Sequence, residues 1–337
     1  MGVSPFFLFR GLTMKISSQK EKIFSEGKAV EPADLFTVVT NKIITALEKG
    51  TSPWRKPWQT CNKELAQNHG LPVNAITGRA YSGINVMLLW IDTYNKGFNS
   101  HQWLTFKQAI DAGGHVRKGE KSTLVTLFKP YEKPATDSHG QPVFDANGEI
   151  IMSRRSFITS FHLFNTEQCD GLSEQQPHTV PMISDSERMA RVEQVVACGG
   201  VKVTHSYQDR AFYSSMVDRI TMPERIQFNK ASDYYSTLLH ELVHSTGHAS
   251  RLARDGIVSM SRRFGNPIYA FEELVAEIGS AFLCAELGIQ GEVQHDSYIA
   301  SWLKVLKEDN RAIFRAGRYA REAFEYLILR EQALATV

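Results

Sequence analysis

The stretch LLHELVHSTGHASR, residues 238 to 251, places three histidines and a glutamate within nine positions of an otherwise apolar segment. In HELVH, His240 and His244 stand four residues apart. On a helix that advances about 100° per residue they project from one face, roughly one turn apart, and both imidazoles can reach one ion. Glu241 falls on the neighbouring face, where it can touch a metal-bound water without ligating the ion, as a general base for water attack must. The pattern therefore demands a helix, a second element carrying a third ligand, and an open coordination position between them. The competing reading is a plain amphipathic helix, with Leu238, Leu239, Leu242 and Val243 as its packing face and the polar residues at the margin.

The third ligand has a source in FEELVAEIGSAFL, residues 271 to 283, an apolar helix carrying Glu273 and Glu277 one turn apart. The order E-x-x-A-E resembles the glutamate helix of gluzincin peptidases. That resemblance implies Glu273 as third ligand of a Zn²⁺ ion and Glu277 as the acid that orients a ligating histidine; the reverse assignment stays open. Other divalent ions fit the same donor set. A metzincin pattern fails, because it needs a third histidine where Ser250 stands. Gly247 helps to end the helix. His248, just past it, is a capping or surface histidine or else a transition-state donor, with Tyr234, Tyr235 and Tyr269 as rivals.

The rest of the 337-residue chain suits a soluble α+β protein of two domains, with 42% hydrophobic and 22% charged residues. Its net charge of +2 conceals an asymmetry: residues 1–170 hold 20 Lys and Arg against 15 Asp and Glu, whereas the remainder hold 18 against 21. Between Arg55 and Lys133 the ratio is 11 to 5, a bias that attracts polyanions. Cys61, Cys169, Cys198 and Cys284 form no CxxC pair and suit a reducing cytoplasm. The opening MGVSPFFLFRGLTM is too short to span a bilayer and lacks a cleavage site. Residues 1–13 are expected to be a disordered leader, with Met14 the natural start.

Helical periodicity marks Pro32 to Lys49, SGINVMLLWIDTYNKG and TFKQAIDAGG, the last with Thr105 as N-cap. VRKGEKSTLVTLFKPYE reads as a turn at Lys118 to Lys121 followed by a strand, and RRSFITSFHLFN as its partner, with a loop or protruding hairpin between. Residues 171–187 read as a linker, separating a domain over 14–170 from one over 188–337. The second domain opens with a helix at about 186–198 and short strands around GVKVTH, AFYSS and DRITMP.

Trp54, Arg55, Lys56 and Trp58 combine rings with cations, the mixture with which single-stranded nucleic acid is bound. Asn74, Arg79, Tyr81, Ser82 and Asn85 gather donors before a helix N-terminus, and Arg117, Lys118 and Lys121 surround Gly119 in a turn suited to phosphate. Each element alone also fits a packing or solvated role. No helix-turn-helix or zinc-finger pattern accompanies them, so a single strand is the expected ligand.

Taken together, PVNAITGRAYSGIN, WLTFKQAIDAGGHVRKGEKS, LLHELVHSTGHASR, YAFEELVAEIGSAFL and YIASWLKVLKEDNRAIFRA resemble the ArdC-type antirestriction proteins of conjugative plasmids, whose N-terminal domain is similar to that of TraC primases. The resemblance spans about Glu31 to Leu329. It implies a single-stranded DNA-binding domain joined to a zincin-like metallopeptidase domain, protecting entering plasmid DNA from host restriction in the bacterial cytoplasm, with a restriction-system protein as possible peptidase substrate. In that setting Glu241 is the catalytic base, and an extended substrate is expected along an edge strand near Tyr213 to Ile220. The rival expectation is a non-catalytic DNA-coating protein whose zincin domain is a metal-stabilised scaffold.

Overall fold

Leu35, Val39, Ile43 and Leu47 recur every fourth residue and are all buried, which is why the first described segment is a helix, α1 (Pro32–Glu48), lying with one face in the core. The computed structural model describes residues 32–50, 52–54, 70–172, 184–258, 267–291 and 298–335. The expected leader, Arg55, Lys56, Trp58, Cys61 and residues 173–183 of the expected linker lie outside the described residues.

The N-terminal half continues through β1 (Val73–Asn74), α2 (Ile84–Lys96), β2 (Gln102–Leu104), α3 (Phe106–Asp111), β3 (His115–Val116), β4 (Thr123–Pro134), β5 (Met152–Asn165) and β6 (Cys169–Asp170). Four strands form a sheet in the order β1-β2-β5-β4, parallel only between β1 and β2, while β3 and β6 pair separately. Thr105 caps α3 through a full capping box with Gln108, so the predicted N-cap is the observed one. The basic turn closes one residue earlier than its composition predicts, from Arg117 to Glu120 around Gly119. β4 and β5 pair from Thr123↔Leu163 out to Pro134↔Met152. Beyond them the chain folds back through two turns in which Asp137 and Asp145 accept backbone N–H groups, the protruding alternative of the two expected for this segment.

The C-terminal half runs α4 (Asp185–Cys198), β7 (Lys202–Ser206), β8 (Phe212–Ser214), β9 (Arg219–Pro223), α5 (Ala231–Thr246), α6 (Asp255–Val258), α7 (Pro267–Leu287), α8 (Ile299–Glu308) and α9 (Ala312–Ala335). Its sheet has the order β7-β9-β8, so β8 is an edge and Ile220 belongs to the central strand. The architecture is α+β. α7 is buried almost all round, as a helix apolar on every face must be, and serves both large cores. One core joins α1 and α2 to α7, α8 and α9, so the two halves share it within a single compact unit of residues 32–337. Among the described residues no helix is long and apolar enough to cross a membrane, and Cys169, Cys198 and Cys284 are free thiols.

Where α1 meets α2 and β4, the buried carboxylate of Asp92 takes an ion pair from Lys42, a second from Lys96 at 3.4 Å, and a hydrogen bond donated by Thr123 at 2.5 Å. Burial alone would raise its pKa; the Lys42 ammonium, with the Thr123 hydroxyl and Lys96, outweighs that and holds it below the usual value. A depressed folded pKa gives stability that is complete above the unfolded carboxylate pKa of about 4 and is lost as pH falls through the folded value. Asp92→Asn is therefore expected to lower the midpoint of urea unfolding at pH 7 and to flatten its decline between about pH 5 and 2; an unchanged acid limb would remove Asp92 from that role.

Candidate metal centre

α5 holds its functional side chains at the middle of a buried helix. Asp233 lies in its first turn, where a negative charge favours the helix dipole, and from Tyr234 nearly every residue to Thr246 is covered. Gly247 follows with φ −77°, so it is not used for a left-handed cap. Its missing side chain instead leaves room for Ile257 and Arg254, which a Cβ would meet at 2.6 and 3.0 Å.

The imidazoles of His240 and His244 stand 4.8 Å apart at 80°, and both Nε2 atoms face one carboxylate on α7. His240 Nε2 is 3.5 Å from Glu273 Oε2, and His244 Nε2 is 3.4 Å from Glu273 Oε1. Donors about 2.0–2.1 Å from a tetrahedral ion are separated by about 3.3 Å, so these spacings fit one divalent cation. Among the described residues these three form the cluster whose donor atoms all lie within 4.8 Å of one another, and all three are buried. The approach depends on Gly279, since a Cβ there would stand 2.9 Å from Val243 of α5 and wedge the helices apart.

Glu277, the other candidate on α7, is buried near Cys284, whose thiol is pushed up to about 12 by burial and by that carboxylate. The acid on the far nitrogen of His244 is Glu272, which no sequence argument singled out: Nδ1 donates to its Oε1 across 3.3 Å. Glu272 is 3% and Arg254 4% exposed, and the guanidinium binds the carboxylate through Nε (3.2 and 3.1 Å) and Nη2 (2.6 Å). Arg254 also donates to the Val243 carbonyl and the Thr246 hydroxyl, which fastens the end of α5 to α7. The available signal was charge balance: a second glutamate buried on an apolar helix needs a cation, and Arg254 follows the histidine segment. Burial of the His244 ring opposes protonation, but Glu273, Glu272 and Glu241 overcome it and push its pKa up to about 10. Glu273 is held well below the carboxylate range by the two histidines, against burial.

A cavity of ≈ 140 Å³ opens beside the cluster, lined by Glu241, Tyr269, Tyr298 and, from β8 and the residue before it, Phe212, Tyr213 and Ala211. The Tyr269 and Tyr298 hydroxyls are 3.2 Å apart, and burial pushes both phenols upward. Of the rival donors, Tyr269 alone lines this cavity. Tyr234 pairs with His205, Tyr235 with Glu193, and His248 turns its Nδ1 to Ser250.

Of the described residues expected to bind nucleic acid, Asn74 and Tyr81 meet through a hydrogen bond, while several others are spent on packing or on pairing within the fold. Trp54 is 1% exposed and packs edge-on against Trp302, 5.6 Å away, so it fills the shared core and presents no face to a base, a correction to its expected stacking role. Asn74 accepts from the N–H groups of Ile76 and Thr77 and donates to Tyr81 and Gln108, which commits it to its own turn, and Asn85 latches both backbone groups of Thr126. Arg117 is paired with Glu120 and Asp170. Arg79, Ser82, Lys118 and Lys121 are exposed. Because Glu272 fixes the orientation and basicity of His244, Glu272→Gln is expected to weaken Mn²⁺ or Zn²⁺ binding about 10- to 100-fold by calorimetry, with the far-ultraviolet circular dichroism unchanged. Wild-type affinity in that variant would deny Glu272 the orienting role.

Comparison with known proteins matches residues 33–164 to the N-terminal domain of the anti-restriction factor ArdC and residues 190–319 to a zincin-like metallopeptidase domain. The chain is 40% identical over 330 residues to a DNA primase TraC of Escherichia coli, covering 96% of this chain but only 22% of that protein, so it spans less than a quarter of that relative's length. It is 36% identical to the uncharacterized protein y4eC of Sinorhizobium fredii over 88% of this chain and 92% of that one. Among solved structures, the antirestriction ArdC protein from the R388 plasmid superposes in its metal-free form with TM-score 0.70 at 37% identity, covering 89% of this chain and 98% of that one. Its Mn(II)-bound form gives TM-score 0.67 at 36% identity, covering 88% and 98%. With both halves matched in order and nearly the whole of a family member covered, this chain belongs to the ArdC family of antirestriction proteins.

Proposed function

We propose that the protein binds single-stranded DNA through its N-terminal half, protects incoming plasmid DNA from host restriction during conjugation, and carries a peptidase centre that holds Zn²⁺ on His240, His244 and Glu273. The observation that carries this reading is the burial of that trio beside Glu241 at a cavity that also meets the open edge of β8. Two imidazoles and a carboxylate are a donor set of zinc hydrolases and also accept neighbouring divalent ions, in keeping with the Mn(II) form of the R388 protein.

A divalent ion bound there acts as a Lewis acid toward a peptide carbonyl and acidifies the attacking water. Glu241 takes the water's proton and returns it to the departing amine. Tyr269, kept protonated by burial, donates to the oxygen on which negative charge develops. The short edge β8 aligns an extended peptide through its free backbone groups. Arg251 steadies that edge, binding Asp218 and the Tyr213 hydroxyl while its Nε donates to the Ser245 carbonyl at the end of α5. A host restriction-system protein is the substrate class this function requires, and the site of action is the bacterial cytoplasm.

Glu241→Ala separates catalysis from coating. Expected in a plasmid-transfer assay into a restricting host is a fall in efficiency to that of a plasmid lacking the gene, with metal content and oligonucleotide affinity unchanged and any peptide turnover reduced about 10²- to 10⁴-fold. Full protection by that variant would assign the effect to DNA coating with the zincin domain as scaffold. For the DNA-binding half, the affinity of the full chain for oligonucleotides is expected to fall with salt at a log–log slope of about −0.7 per phosphate contacted; a slope of zero would eliminate phosphate contacts.

A further inference from the structure

The outer part of the β4–β5 hairpin exposes an aromatic and basic face that neither packing nor the metal centre uses. Register places Leu127 opposite Thr159, Lys129 opposite Phe157, Tyr131 opposite Arg155 and Lys133 opposite Ser153. Alternate residues of a strand share a face, so these pairs lie on one side of the hairpin together with Phe161. Nearer the base, Val125 and Leu163 of the same face are buried against Leu89 and Trp103. Phe161, opposite Val125, is already 38% exposed, and farther out the cover stops, with Tyr131 and Phe157 41% and 47% exposed. Tyr131 and Phe157 lie with ring centroids 6.0 Å apart and tilted by 55°.

Charge separates this face from the opposite one. Lys129, Lys133 and Arg155 are exposed and, among the described residues, have no carboxylate partner; from Thr123 to Lys133 and Ser153 to Leu163 the face holds no acidic residue. Glu132 points the other way and pairs with Arg154. That second face is partly spent on packing, since Ile158 is buried and Phe128 lies against Phe36 and Phe314. Pro130 and Pro134 each remove a backbone donor from β4, which blunts its edge against an added strand. What remains available is a set of rings for stacking, flanked by cations for phosphates, on a hairpin that projects from the core.

We propose that this face, with Tyr131, Phe157 and Phe161 stacking on bases and Lys129, Lys133 and Arg155 meeting phosphates, is where the protein holds single-stranded DNA. The assignment rests on the reading that the N-terminal half binds a single strand, and it moves the stacking role from the Trp54 segment to the hairpin. Flat rings set among cations suit unpaired bases, whose faces are open, better than a duplex, whose bases are already stacked.

The test uses the full chain and fluorescent oligothymidylate of about 20 nucleotides, longer than the ~4–16 nucleotides one small binding fold covers, beside a duplex of equal length. Tyr131→Ala with Phe157→Ala is expected to weaken single-strand binding about 30-fold or more, with the melting temperature within a few degrees of wild type. Lys129→Gln with Arg155→Gln is expected to reduce the log–log salt slope by about 1.4, two contacts at about 0.7 each. Arg154→Gln, on the other face, should bind within about twofold of wild type. If wild type binds the single strand and all three variants match it, the face is wrong while the broader reading survives. If wild type fails to bind at low salt, both fall. An equal loss of duplex affinity in the ring variant would overturn stacking as the basis.

Discussion

Two helices pressed together with carboxylates between them are the constraint around which this protein is arranged. α5 and α7 meet closely because Gly279 carries no Cβ against Val243, and the contact traps Glu272 and Glu273 away from water beside two imidazoles. Uncompensated, such carboxylates would make the interface unstable. Arg254 answers Glu272, and Glu273 is answered by the histidines, whose proton or bound ion supplies the positive charge. The same electrostatic demand that makes the interface a candidate metal site thus makes the site part of the fold.

The supporting shell extends that logic outward. Arg254 reaches from the turn after α5 to α7 and back to the Val243 carbonyl of α5, while Arg251, three residues earlier, reaches the turn between β8 and β9. Two arginines of one short segment therefore fix both walls of the cavity relative to the histidine helix. Each guanidinium makes several directed bonds at once, a geometry that a lysine ammonium does not reproduce.

What could be read in the sequence follows from the range over which each signal acts. α5 and the pairing of His240 with His244 are local, set by a four-residue period. The presence of a glutamate helix is local too, and Glu273 lies in the cluster with both histidines. Which glutamate orients a histidine is not local: Glu272 and Glu273 differ by about 100° around α7, and only the placement of Arg254 and His244 shows the first one's partner. The N-terminal half shows the same limit. WRKPW announces rings and cations in a single run, yet Trp54 is consumed by the core, whereas Tyr131 and Phe157 are 26 residues apart and become neighbours only through the hairpin register. Hydrophobic rings concentrated in sequence are as readily used for packing as for binding, and solvent exposure is the property that distinguishes the two.

The shared core links the halves physically. At the N-cap of α8, Tyr298 lines the cavity beside the candidate metal ligands, and one turn on Trp302 lies at the seam, where it is fully buried. Tyr298 stacks on Trp302 with centroids 6.1 Å apart, and Trp302 meets Trp54 edge-on, so an unbroken aromatic row runs from the cavity beside the histidines to the N-terminal half. On the same seam α1 buries Leu35, Val39, Ile43 and Leu47 in a cluster completed by α8 and α9. Separating the two halves would strip these side chains of their cover, and each large apolar residue so exposed forfeits about 1.5–3 kcal/mol. The N-terminal half consequently holds its shape by leaning on the helices that also wall the candidate metal site, so the two halves are joined through packed side chains.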